Sequence, residues 1–123
     1  MGNLASLLRA LGERREARFL QERALRGKEK VLGPEHPQTL ITMGNLANLL
    51  QELGEKTEAR FLQERALREL EKVLGPDHPH TLSVMNNLAS LLQELGDRVG
   101  ARSLYERALR GKEKLLGPSA QIP

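Results

Sequence analysis

The chain has 123 residues, of which 39% are hydrophobic, 28% charged and 2% aromatic, with a formal net charge of +3. That length suits one domain with a modest core, and the absence of cysteine excludes a disulfide framework, thiolate metal sites and cysteine nucleophiles. No apolar run approaches the ~18 residues of a membrane span, and charges of both signs alternate closely, so a soluble chain with neither membrane nor nucleic acid as partner is expected, by default in a reducing cytoplasm. Leu, Ala, Glu and Arg dominate while β-branched residues are scarce, which predicts an all-α chain.

Along the chain, Gly2-Asn3-Leu4-Ala5 recurs as Gly44-Asn45-Leu46-Ala47 and then as Asn86-Asn87-Leu88-Ala89, a fixed period of 42 residues. The units run over 1–43, 44–85 and 86–118, with a tail at 119–123, within a single repeat domain 1–123. Each unit reads as two helices. Leu40, Met43, Leu46, Ala47, Leu50 and Leu53 step by three and four, the stripe of an amphipathic helix A that Gly54 ends. Ala59, Leu62, Ala66, Leu70, Val73 and Leu74 make the stripe of helix B, closed by Gly75 and Pro76. The B segments are expected over 13–32, 55–74 and 97–116. Before each complete A helix stands Glu35-His36-Pro37 or Asp77-His78-Pro79, with proline where a helix start tolerates it.

The run from Asn45-Leu46-Ala47 through Leu53-Gly54, Glu58-Ala59 and Glu64-Arg65-Ala66-Leu67 to Glu71-Lys72-Val73-Leu74-Gly75-Pro76-Asp77-His78-Pro79 resembles tetratricopeptide repeats of the 42-residue kinesin-light-chain type. The resemblance covers nearly the whole chain. Leu46, Ala47, Leu50, Gly54, Ala59 and Ala66 fall on the family's packing positions, as do Leu88, Ala89, Leu92, Gly96, Ala101 and Ala108. Met43, Met85, Gln21 and Gln63 stand where aromatics are common, and Tyr105 restores one. The resemblance implies a right-handed α-solenoid of stacked helix-turn-helix units, with A helices lining a concave, peptide-binding side.

By the same correspondence the groove carries Asn3, Asn45 and Asn87, then Ser6, Asn48 and Ser90, then Arg9, Gln51 and Gln93, with Gly44 and Asn86 beside them. Amides offer both donor and acceptor to the backbone of an extended peptide. They equally suit local pairing between neighbouring helices, and the residues leave both readings open. Lys and Arg concentrate in the B segments. Outside these, Arg9 stands alone against Glu35, Glu52, Asp77 and Glu94, so a neutral or mildly basic ligand is expected. On the B helices, Arg18/Glu22/Arg26, Arg60/Glu64/Arg68 and Arg102/Glu106/Arg110 are spaced for i,i+4 ion pairs on a solvated face.

Other signals are discounted. Met1 to Ser6 matches an N-myristoylation pattern, but Met43 to Asn48 is almost the same string inside a helix. His36, His78 and His80 lack the further ligands of a zinc site, and Gly54-Glu55-Lys56-Thr57 lacks the spacing of a phosphate loop. A surface repeated three times offers no asymmetric pocket with nucleophile, base and orienter, so neither catalysis nor a cofactor is expected. Helix A of the first unit begins about half-made at Met1, and helix B of the third has no following A helix. Leu4, Leu7 and Leu8 at one end and Leu104, Ala108 and Leu115 at the other are therefore expected to mediate head-to-tail or repeat-exchanged self-association. This self-assembling module is the alternative to peptide binding.

Overall fold

The computed structural model describes residues 2–117, apart from the side chains of residues 2, 3, 5, 8 and 9. The described residues form five helices: α1 (Gly2–Val31), α2 (Pro37–Glu52), α3 (Lys56–Val73), α4 (Pro79–Glu94) and α5 (Arg98–Leu116). α2 and α4 are the expected A helices, and α3 and α5 the B helices. Within units α2 packs on α3 and α4 on α5; between units α1 packs on α2, α3 on α4, and α2 touches α4.

The A helices start where imidazole and proline cooperate. Nδ1 of His36 accepts a hydrogen bond from the Gln38 amide at 3.1 Å, and Nδ1 of His78 accepts one from His80 at the same distance. Pro37 and Pro79 follow in the first turn, where a missing N–H leaves no helical bond unmade. The histidines are thus helix caps. Thr39 Oγ1 donates to the carbonyl of Gly33 at 2.8 Å and ties that loop to α2, whereas Thr81 Oγ1 reaches the Leu70 carbonyl of α3 at 3.5 Å.

Leu40, Met43, Ala47 and Leu50 of α2 are fully enclosed, as are Ala59, Ala66 and Leu70 of α3 and Leu91 of α4. The alanines matter because they let the backbones of α2 and α3 approach closely enough for the leucines to interdigitate. Ala101 and Ala108 repeat this in α5.

The first unit departs from the expected helix pair. At Gly54 and Gly96 the chain turns with φ of 86° and 89°, and the Glu55 and Asp97 amides bond back to the carbonyls of Leu50 and Leu92, each at 2.8 Å. Gly12, the repeat-equivalent residue, lies inside α1 instead, which continues unbroken for 30 residues. The local sequence favours this. Ala10 replaces Glu52, a carboxylate that opposes the negative pole at a helix C-terminus, and Arg15 replaces the β-branched Thr57. Lys28 lies beside Thr42 and Arg14 beside Glu52, so the part of α1 before Leu11 runs past the end of α2 by about 15 Å, at ~1.5 Å per residue. Consequently Leu20 is 53% exposed and Ala24 is exposed, whereas their counterparts Leu62 and Ala66 are half-buried and fully enclosed.

Two glycine substitutions separate these geometries. A Cβ at Gly12 meets nothing within 4 Å, so Gly12→Ala is expected to stabilise the chain by about 0.5–1 kcal/mol through helix propensity. Gly54→Ala forces alanine into left-handed backbone and should cost about 1–2 kcal/mol. Denaturant unfolding of both variants checks this, and a destabilised Gly12→Ala would mean that a turn forms at Gly12.

Candidate functional site

Helical spacing places Asn86, Asn87, Ser90, Gln93 and Glu94 on one stripe of α4, and the structure leaves that stripe open. Asn86, Gln93 and Glu94 are exposed, and Asn87 and Ser90 are half-buried. The opposite arc, with Leu82, Met85, Leu88, Ala89 and Leu92, is buried. α2 carries the equivalent stripe, but α4 and α3 cover part of it: Gly44 is buried against Gln63 and Val84, Asn48 and Gln51 are half-buried, and Asn45 stays exposed. The side chains of Asn3 and Arg9 lie outside the described residues; Ser6 is exposed.

The two readings of the amides divide between residues. Asn48 pairs locally, its Oδ1 accepting from Gln63 Nε2 at 2.9 Å, and Gln51 donates to Glu94 between neighbouring A helices. Asn45, Asn86 and Gln93 keep exposed amides. The carboxylates near the stripe also serve unit boundaries, Glu52 with Arg14 at 3.2 Å and Glu94 with Lys56 at 3.3 Å. The open stripe is therefore uncharged over most of its length.

Gln63 is the buried partner that the groove residues alone do not reveal. It is fully enclosed, its Nε2 also reaches the Gly44 carbonyl at 3.5 Å, and its Oε1 has no hydrogen-bond partner. The signal lay in the spacing, because Gln63 stands four residues after Ala59 and three before Ala66 on the apolar stripe of helix B. A polar group there must reach into the A–B seam.

The arginines behave largely as their spacing predicts. Arg18–Glu22, Arg60–Glu64 and Arg102–Glu106 form i,i+4 pairs at 3.6, 3.5 and 2.9 Å. The structure adds pairs across helices, including Arg107–Glu71 at 2.7 Å and Arg18 with Glu55 and Glu58 of the next unit. Partial burial works against the charge on Arg18, but the hydrogen bond and attraction of Glu55, with Glu22 and Glu58 adding to it, outweigh this and raise its pKa.

At the helix ends the expectation needs correction. Leu104 and Ala108 are buried against α4 and take no part in an open surface, because the face through Ala101, Leu104, Ala108 and Gly111 points inward. Of the residues expected at the ends, Leu115 on α5 and Leu4 and Leu7 on α1 are exposed, and Leu109 and Leu116 are exposed besides. The side chain of Leu8 lies outside the described residues. Among the described residues no cluster of His, Asp or Glu could hold a metal ion, and no helix is long and apolar enough to cross a membrane.

Stacked helix pairs with alanine seams and a polar stripe shared by successive A helices define an all-α repeat solenoid, a scaffold architecture. The sequence matches the tetratricopeptide repeat family model over residues 1–71 and 57–114. Two solved structures from Podosopora anserina, assigned as a kinesin light chain of nearly identical TPR-like repeats, are similar to the chain. The first is 32% identical over 92% of this chain and 54% of its own, with a TM-score of 0.74. The second, a point-substituted form, is 31% identical over 93% and 54%, with a TM-score of 0.75. The chain thus spans about half the length of the structures it matches. No curated relative matches at a significant level. The chain belongs to the tetratricopeptide repeat family, and its repeats are similar to those of the kinesin-light-chain type.

Gln63 gives this seam a test. Gln63→Leu removes the partnerless Oε1 and leaves the half-buried Asn48 able to turn to solvent. It is expected to raise the unfolding free energy by about 1 kcal/mol, the order of the desolvation penalty of one unsatisfied buried group. A fall by that amount would mean that the buried oxygen has a bound partner.

Proposed function

We propose that the chain is a non-enzymatic interaction scaffold whose A-helix stripe binds an extended, neutral or mildly basic peptide. The observation that carries this reading is the open stripe of α4, where Asn86, Asn87, Ser90 and Gln93 share one face of a helix that itself has no Lys or Arg. Amide and hydroxyl groups at helical spacing can meet the alternating N–H and C=O of an extended backbone, which favours the backbone over any particular side chain. The guanidinium groups that would select acidic cargo lie on the B helices, many of them in ion pairs. A repeated, shallow polar surface supports binding and gives no support to a reaction centre.

The reading is tested with a peptide-display screen on the intact chain, followed by calorimetric titration of the selected peptides. Asn86→Ala combined with Asn87→Ala is expected to weaken binding at least about tenfold, since each lost hydrogen bond is worth on the order of 1 kcal/mol. The unfolding midpoint should stay nearly unchanged, because neither side chain is buried. Selected peptides that bind the double variant as tightly as the parent would remove the stripe as the site.

A further inference from the structure

The two boundaries between B helices carry different side chains. At the first, Arg18 of α1 is met by Glu55 at 2.5 Å and Glu58 at 3.9 Å from α3, in addition to Glu22 of its own helix. Its repeat-equivalent Arg60 shares a cleft with Asp97, Gly100 and Ser103 of α5, which stand where α3 has Glu55, Glu58 and Phe61. Spaced by three, these positions form one wall of α5, and each holds a smaller side chain than its counterpart. Asp97 is also turned to its own helix. Its Oδ1 accepts from the Gly100 amide at 2.9 Å, and its carboxylate occupies the place a Cβ on residue 100 would need. Among the described residues the ion-pair partner left to Arg60 is Glu64 of its own helix, at 3.5 Å. The space so opened between α3 and α5 is a cleft of about 380 Å³ with Leu67, Leu88, Leu92 and Leu104 as its floor. Arg68 stands on the α3 wall with no ion pair among the described residues, and the Arg107–Glu71 pair bridges the two helices at 2.7 Å. Floor and both walls belong to α3, α4 and α5, so the cleft is complete without any further unit.

The geometry points to this cleft as a docking site for a helical segment of a partner protein that carries a carboxylate and a large apolar side chain three residues apart, the spacing of Glu58 and Phe61. The carboxylate pairs with Arg60, and the surroundings of Arg18 show that a guanidinium at this position takes two carboxylates from a neighbouring helix. The apolar side chain lies on the leucine floor, where the area it removes from water supplies affinity. The chain's own Glu55 and Glu58 are held by Arg18 within their molecule and do not reach the cleft. This site lies between B helices, apart from the polar stripe of the A helices, and stands or falls independently of peptide binding there.

The probe is a labelled, end-blocked peptide with the sequence of Glu55–Arg68, titrated into the intact chain and followed by fluorescence anisotropy. Saturable binding is expected, weakened about tenfold by Arg60→Ala in the chain or by Glu58→Gln in the peptide, with no further loss when the two are combined. Ser103→Phe fills the cleft from its α5 wall and should abolish binding with the circular dichroism spectrum intact, because Ser103 is exposed. Asn86→Ala combined with Asn87→Ala should leave the affinity unchanged. No saturation at millimolar concentration, binding that survives both Arg60→Ala and Ser103→Phe, or binding lost in the asparagine variant overturns the proposal. Light scattering supplies the second arm. A constant molar mass over a hundredfold concentration range is expected, whereas mass that climbs, and that Ser103→Phe holds constant, would assign the cleft to a second copy and overturn the heterologous partner.

Discussion

Each A-type helix of this chain is gripped on two sides at once, and the rest of the architecture follows from that. α2 lies between α1 and α3, and α4 between α3 and α5. A helix with two neighbours needs an apolar arc wide enough for both, which leaves one narrow strip for solvent. In α4 the strip is the line of Asn86, Asn87, Ser90 and Gln93. The close seam that Ala59, Ala66, Ala101 and Ala108 permit is what makes the arc continuous. The polar stripe is therefore a consequence of stacking, since only residues outside both contacts are free to be polar.

The same constraint explains why much of the fold was legible in the sequence. Positions such as Leu46, Ala47, Leu50 and Ala59 must be apolar in every unit, so period and helix face both show in the letters. The unbroken α1 was not legible in that way. Identity between Gly12 and Gly54 predicts a turn, yet a glycine permits left-handed backbone without requiring it. What decides is the tertiary support on either side of the glycine and the helix-favouring residues Ala10 and Arg15, and repeat matching hides both. Leu104 and Ala108 were misplaced for a related reason, since a helix B stripe has an inward and an outward half that spacing alone does not separate. In the candidate site, the residues expected to line a groove include Asn45, Asn86 and Gln93, whose side chains are exposed. The capture of Asn48 by Gln63 and of Gln51 by Glu94 depends on the offset between neighbouring helices, which no local pattern encodes.

Near-identical repeats raise a further question, because any A helix has an apolar face that would suit any B helix. Exposed ion pairs such as Arg14–Glu52 and Lys56–Glu94 contribute little, on the order of 0–1 kcal/mol each, beside the buried leucines. They also recur at each boundary and so fix the alignment of two helices without distinguishing which two.

The distinction lies one turn further along. α1 presents Lys28 to α2, which answers with the hydroxyl of Thr42. α3 presents Leu70 at the equivalent position, and α4 carries Val84 where α2 has Thr42. Stacking α4 on α1 would set the ammonium of Lys28 against an isopropyl group with no acceptor, and stacking α2 on α3 would place a hydroxyl against a leucine. The first loses the acceptor that Lys28 has in Thr42, and the second gains nothing from the hydroxyl, which already donates to the Gln38 carbonyl of its own helix at 2.9 Å. One polar and one apolar boundary thus define the order of units that are otherwise interchangeable. Because α5 returns to lysine at Lys112, the chemistry of its outer face matches the α1–α2 boundary and not the α3–α4 boundary.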